Sequence, residues 1–188
     1  MTFRFLAPGD APLLAAYFRG LSAASRAFFG PHPLDDETAA RVCAEHDPRT
    51  LRIVGVADGA IVAYAILLLG VTEHEEARFR ERGLPLDRAT DATVAPSVAD
   101  ALQGRGVGRA LMEHAIDRAT AHGRDRIVLL GGVQAANVRA VRLYERLGFV
   151  RAGEFEHPPG CVNVDMIRSR GADLAPVPDR RIESRPGA

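Results

Sequence analysis

The chain has 188 residues, of which 47% are hydrophobic and 26% charged, the composition of one folded domain rather than of a disordered segment. Lys plus Arg number 24 and Asp plus Glu 24, so the net charge is zero, against the basic excess of a dedicated nucleic-acid binder. Two cysteines, Cys43 and Cys161, cannot build a disulfide framework or a four-cysteine zinc site, and the apolar run Ile61 to Leu69 is far below the roughly 20 residues that span a bilayer.

Asp10 interrupts the N-terminal stretch before a signal-peptide core could form, which with the cysteine usage points to the cytoplasm. Thr2 to Leu6 reads as a strand, and Pro8-Gly9-Asp10 as a turn leading into a helix. Leu13, Leu14, Tyr17, Phe18 and Leu21 share one face of that helix. Asp35-Asp36-Glu37 opens a second helix that runs to about Glu45. Thr50 to Ala57 and Ala60 to Leu69 are apolar runs joined by Asp58-Gly59, a hairpin signal. Val71 to Thr90, with four Glu, four Arg and one His, fits either a solvated helix or a long loop.

Ala92 to Val98 reads as a strand in which Pro96 demands an edge or a bulge. Gly106 to Ala121 is an amphipathic helix, and Arg126 to Leu130 a buried strand. Asn137 caps a helix to Leu147 that Gly148 closes, and Phe149 to Phe155 and Asn163 to Ile167 complete the strands. Residues 1–170 form one domain; the proline-rich residues 171–188 read as a tail outside the core.

The chemistry concentrates at Gln103-Gly104-Arg105-Gly106-Val107-Gly108-Arg109, between a strand and a helix. Glycines let a ligand approach the backbone, and the first N–H groups of a helix have no intrahelical partner, so this segment suits a pyrophosphate. The dinucleotide fingerprint fails because Arg109 stands where its third glycine belongs. The Gly-Lys-Ser/Thr of a nucleoside-triphosphate loop is also missing.

Gln103-x-x-Gly106-x-Gly108 at a helix start resembles the acetyl-CoA pyrophosphate motif of the GNAT family of N-acetyltransferases. Asn137-Val-Arg-Ala140-Val-Arg-Leu-Tyr144-Glu-Arg-Leu-Gly148-Phe149 resembles that family's second motif, and the similarity covers most of residues 2 to 168. A narrower resemblance runs through Ser22-x-x-Ser25-Arg26-x-Phe28-Phe29-Gly30-Pro31-His32 and His46-Asp47-Pro48-Arg49. It is to the acetyltransferase domain of bacterial protein-lysine acetyltransferases. The chain departs from those enzymes at Thr93, where they carry Glu, and at Tyr144, which they often lack.

The resemblance implies an α/β (α+β) fold, a mixed central sheet of about six to seven strands flanked by about four helices. It implies transfer of an acetyl group from acetyl-CoA, as co-substrate and without a metal, to the primary amine of a small molecule or peptide by direct attack. Protein lysine is the alternative acceptor, and a non-catalytic acetyl-CoA sensor or interaction module is a second alternative. By the same resemblance, backbone groups of Val98 and Asp100 would hold the pantetheine arm or polarise the thioester carbonyl. Gln103, Gly104, Arg105, Gly106, Val107, Gly108 and Arg109 would take the pyrophosphate, and Asn137 the pantetheine region. Tyr144 would protonate the leaving thiolate, its phenol pKa of about 10 being similar to that of the thiol. A homodimer is common in the family.

A Thr hydroxyl at 93 has no accessible pKa for a base, which leaves water, Glu73, His74, Glu75 or His32 to take the amine's proton. Arg139, Arg142 and Arg146, at helical spacing, read as a solvated face, with the 3′-phosphate of CoA as the alternative. Cys43-x-x-His46 is half of a metal-site spacing without a second half. Phe28, Phe29 and His32 are open between core and acceptor wall.

Overall fold

A computed structural model describes residues 1–171 of the chain. The expected tail after Gly171 lies outside the described residues. The first half comprises β1 (Thr2–Phe5), α1 (Ala11–Gly20), α2 (Ala23–Ala27), α3 (Asp36–Ala44), β2 (Thr50–Ala57) and β3 (Ala60–Leu68). Then follow α4 (Glu73–Glu81), β4 (Asp91–Val98), α5 (Val107–Ala121), β5 (Arg126–Leu129), β6 (Val133–Gln134), α6 (Val138–Arg146), β7 (Val150–Glu156) and β8 (Val162–Ser169).

The described residues form a mixed eight-stranded sheet with six α-helices, the expected architecture with two more helices and one more strand than the sequence reading counted. The added strand is the two-residue β6. The added helices are the five-residue α2 and α4, the segment left between helix and loop. Thr72 and Glu75 form a reciprocal capping box at the start of α4, which favours the helix. The Asp58-Gly59 turn has φ of 50° and 76°, the positive pair that a tight hairpin turn requires.

Strand order is β1-β2-β3-β4-β5-β8-β6, with β7 paired to β8. All neighbours are antiparallel except β4 and β5. Helices α1 and α3 cover one face through Leu14, Phe18, Ala39 and Val42 against Val54, Tyr64 and Ile66. On the other face α5 and α6 bury Leu111, Met112, Ala115, Val141 and Tyr144 against Ala65, Leu67, Val94 and Leu129. Phe79 of α4 packs with Val128, Ala152 and Ile167 in a third cluster.

The seam between β4 and β5 opens the molecule. Their parallel register runs only from Asp91↔Arg126 to Val94↔Leu129, and the Leu130 amide donates to the Val94 carbonyl at 3.0 Å. Beyond that bond the chain after β5 turns through Gly131 and Gly132 into β6, which pairs with β8 instead. Pro96 lies past the end of the β4–β5 register, opposite Ala65 of β3. The Ala99 amide donates to the Val62 carbonyl, so the alternation along β4 turns the nitrogens of Pro96 and Val98 away from β3 and toward the opening. Pro96 therefore removes no bond from the ladder.

Candidate active site

A cleft of about 1610 Å³ starts at this opening and is lined from both sides of the sheet. One arm follows β4 to the glycine-rich segment, with Val98, Asp100, Gln103, Gly104, Gly106, Gly108, Arg109, Asn137, Arg139 and Tyr144 in its wall. The other arm lies under Phe28 and Pro31, between α4 and the β7–β8 hairpin.

Gly106 caps α5 in the left-handed conformation, φ 85°, and Gly104 has φ 75°. A Cβ at either position would meet nothing within 4 Å, so both glycines border open space. The first helical bond is that of the Ala110 amide to the Gly106 carbonyl, 3.1 Å, which leaves the preceding N–H groups of α5 for an anion. Gly108 has a different role. A Cβ there would sit 3.4 Å from Leu143 and 3.6 Å from Val98, so this glycine sets how closely α5 packs on α6 and β4.

Val107 contributes backbone only, its side chain being buried in the core. Arg105 does not line the cleft, and Arg109 lines it while paired with Glu113 at 2.8 Å. The Arg139 guanidinium hydrogen-bonds the Gln103 side-chain oxygen, so it belongs to the cleft wall and not only to a solvated face. Gln103 Nε2 donates to the Val98 carbonyl and to Ser25 Oγ, each at 3.0 Å. With that carbonyl occupied, the backbone group Val98 offers to a ligand is its N–H.

The Asp100 carboxylate latches the start of α2. It accepts from the Ser22 amide at 3.0 Å, Ser22 Oγ at 2.7 Å and Ser25 Oγ at 2.8 Å. These donors, the Ser22 amide first, push its pKa down to about 2. The other end of α2 is held by Gln134 Nε2, which donates to the Ala27 carbonyl at 2.6 Å. Short α2 thus bridges the cleft from the β4 side to β6.

Asn137 caps α6, its Oδ1 accepting from the Ala140 amide at 3.2 Å. Two turns later Tyr144 packs on Phe149 with ring centroids 5.7 Å apart and borders the cleft. Burial raises the Tyr144 pKa, which keeps the phenol protonated. On the opposite face of the sheet at the same opening is Glu75 of α4, only 2% exposed. It accepts from the Gly131 amide at 2.9 Å, the Thr72 amide at 3.2 Å and the Thr72 hydroxyl.

The remaining candidates separate cleanly. Thr93 is fully buried, with Oγ1 3.4 Å from the Gly70 carbonyl to which it donates, and lies outside the cleft wall. His32 is part of an aromatic cluster with Phe18, Phe29 and Tyr64. Its Nδ1 lies 2.7 Å from the Pro33 carbonyl, and burial lowers its pKa. Phe29 is buried in the core and also borders the cleft, whereas Phe28 is 42% exposed and borders the acceptor arm. Glu73 faces solvent. Cys43 is buried with its thiol pKa raised by desolvation. Among the described residues no group of three or more His, Cys, Asp and Glu could hold a metal.

The sequence reading did not single out Arg78, Asp165, Phe155 or Gln134, and met Ser22 and Ser25 only within a resemblance, not as a latch. The Thr72-x-x-Glu75 capping signature was the available clue that Arg78 projects from an ordered helix.

A β4 edge left open beside a helix N-terminus with free amides suits an extended ligand that ends in a pyrophosphate. The family profile described as "Acetyltransferase (GNAT) family" matches residues 16–149, and the chain belongs to this family of acetyl-CoA-dependent acetyltransferases. A GNAT protein from Kribbella flavida is 29% identical, with TM-score 0.68 over 90% of this chain and 97% of that one. The GNAT domain of S. lividans PAT is 23% identical, with TM-score 0.68 over 89% of each chain. The Salmonella typhimurium protein yncA, solved with its cofactor acetyl-CoA, is 20% identical with TM-score 0.66, covering 94% of this chain and 97% of that one. A mycothiol acetyltransferase of Beutenbergia cavernae is 44% identical over 63 residues, which span 34% of this chain and 20% of that protein. Among the described residues, no helix is long and apolar enough to cross a membrane.

Proposed function

We propose that the chain acetylates a primary amine by direct attack on the thioester of acetyl-CoA at the mouth of the β4–β5 opening. The observation that carries this reading is that one cleft joins the open glycine cradle, the unspent Val98 N–H, Tyr144 and a second arm of its own. The space at Gly104 and Gly106 and the free amides of α5 fit a pyrophosphate; the Val98 N–H fits the amide of an extended pantetheine arm. Acetyl-CoA supplies the activated acyl group.

The chain's own residues then divide the work. The acceptor nitrogen, deprotonated, attacks the thioester carbonyl from the second arm. Tyr144 donates its phenolic proton to the departing sulfur, and its buried setting keeps that proton available at neutral pH. The proton shed by the ammonium leaves on the α4 side, where Glu75 and His74 line the cleft. His32 and Thr93 are set aside for that step by their burial and hydrogen bonds.

The test is release of free CoA thiol from acetyl-CoA against a panel of polyamines, amino acids, aminosugars and lysine peptides. Turnover with at least one amine is expected. Tight acetyl-CoA binding with no thiol released from any of them returns the chain to a sensor role.

A further inference from the structure

We propose, resting on that reading, that the acceptor carries an anionic group a few bonds from its amine, and that Arg78 binds this group. The acceptor class is then a small amino acid or an amine bearing phosphate, not the side chain of a protein lysine.

Arg78 is held rigidly in the wall of the acceptor arm. Its Nε donates to Asp165 Oδ2 at 3.0 Å and its Nη2 to Asp165 Oδ1 at 3.1 Å, a two-pronged pair with a carboxylate that is 0% exposed. Its Cζ lies 4.0 Å from the centre of the Phe155 ring, so the guanidinium is also stacked. Nη2 reaches Glu75 Oε1 at 3.4 Å as well. Among the described residues the hydrogen bonds of Arg78 run through Nε and Nη2 and none through Nη1, and Arg78 borders the cleft. A guanidinium fixed on two sides with one nitrogen unspent is pre-organised for a carboxylate or phosphate oxygen.

The surroundings are shaped around this arrangement. Arg82 also bonds Asp165, and its Nη2 donates to the Glu154 carbonyl at 2.8 Å, so Asp165 does not depend on Arg78 alone. A Cβ on Gly153 would fall 2.4 Å from Arg82 Nε. One on Gly132 would fall 2.9 Å from the Phe155 ring. Two glycines therefore make room for Arg82 and for the stacking ring.

Charge and position select the ligand. Glu75 and Asp165 balance Arg78 and Arg82, and Glu156 lines the same cleft, so a molecule with one ammonium and one anionic group can meet a carboxylate and Arg78 together. Glu75 Oε1 touches both Arg78 and the Gly131 amide, so Arg78 and the opening share one carboxylate oxygen as neighbour. That closeness suits a short, amino-acid-like acceptor.

The experiment compares matched amines on the full chain: tyramine with tyrosine for carboxylate, ethanolamine with phosphoethanolamine for phosphate, and a neutral lysine peptide. The acid-bearing member of at least one pair is expected to have a kcat/KM at least tenfold above its plain partner and above the peptide. Arg78→Gln is expected to cost that acid at least tenfold more than its plain partner, chiefly in KM, with Arg78→Lys between it and wild type. Should Arg78→Gln fail to fold, Phe155→Leu, which removes the stack and no charge, is expected to shrink the same preference. Equal use of both members of each pair, a preference for the lysine peptide, or a preference that survives in Arg78→Gln overturns the proposal. If no amine releases thiol, the transfer reading falls, and calorimetric titration of the same pairs into the CoA-loaded protein still decides the subsite by tighter or equal binding of the acids.

Discussion

Tyr144 is the residue on which the chemistry turns most directly. Removing its hydroxyl deletes one atom and leaves the ring on Phe149, so Tyr144→Phe is expected to keep its fold and its acetyl-CoA affinity. Turnover is expected to fall by roughly a hundredfold or more, the range for a positioned proton donor. The pH dependence has a definite sign. A general acid works while protonated, and burial moves the Tyr144 phenol above its ordinary value, so the loss of wild-type kcat at high pH should begin above about 10. A kcat profile from pH 6 to the limit of stability checks this, and near wild-type turnover in Tyr144→Phe would make the residue structural. That Tyr144, Asn137, Gly104 and Gly106 line the cleft was legible because each has a fixed place in a local motif. Arg78 was not, because its partner Asp165 is 87 residues away and meets it only once β8 is in the sheet. Asp100 was legible as a site residue but not in its manner, since its carboxylate serves α2.

At the scale of elements, α2 is held by polar contacts rather than by burial. It is five residues long, buries none of them, and is held by Asp100 at one end, by Gln134 at the other and by Arg26, which donates to the Phe18, Leu21 and Leu34 carbonyls. Isolated helices so short do not persist in water, so the latch supplies what propensity cannot. Asp100→Ala removes the acceptor for the Ser22 amide and for two hydroxyls, and should raise acceptor KM several-fold while leaving the melting temperature nearly unchanged. Faster amide exchange at Ser22 and Ser25 would accompany the change; unaltered exchange and KM would show that the latch is idle. Because the Asp100 pKa is pushed down to about 2, the latch is present above the ordinary carboxylate range and lost only as pH falls toward that value. No loosening of α2 is therefore expected between pH 5 and 9. The hairpin at Asp58-Gly59 and helices α1, α3, α5 and α6 could be read ahead of the structure because local spacing and caps specify them. Helix α4 hid behind its charges. Glu75, Arg78 and Arg82 look solvated in a linear sequence and become partly or wholly buried only because each meets a partner across the fold.

For the whole molecule, the seam at which the cleft starts is a shorter join than those β3 makes with β2 and β4. The ladder between its two halves consists of four register pairs, reinforced by the bidentate Arg126–Asp91 pair at its closed end, with Nε 2.9 Å and Nη2 2.6 Å from the carboxylate oxygens. At its open end the last bond is Leu130 amide to Val94 carbonyl, and beyond it α2 and the α5–α6 packing bridge the halves. A ligand lying along β4 between these halves replaces the missing rungs, so it should act as a staple as well as a substrate. Binding to the folded state alone stabilises by about 2.7 kcal/mol at one hundred times Kd. For a chain of this size that corresponds to a rise in melting temperature of roughly 5–10 °C. The location of the effect is the sharper prediction. Amide exchange should slow most at Leu130, Gly131 and Val98, at the mouth of the seam, and least on β1 and β2, which the ligand does not reach. Uniform slowing across all strands would mean that acetyl-CoA stabilises the molecule without closing the seam. No slowing at Val98 would remove that N–H from the binding site and place the pantetheine arm elsewhere in the cleft.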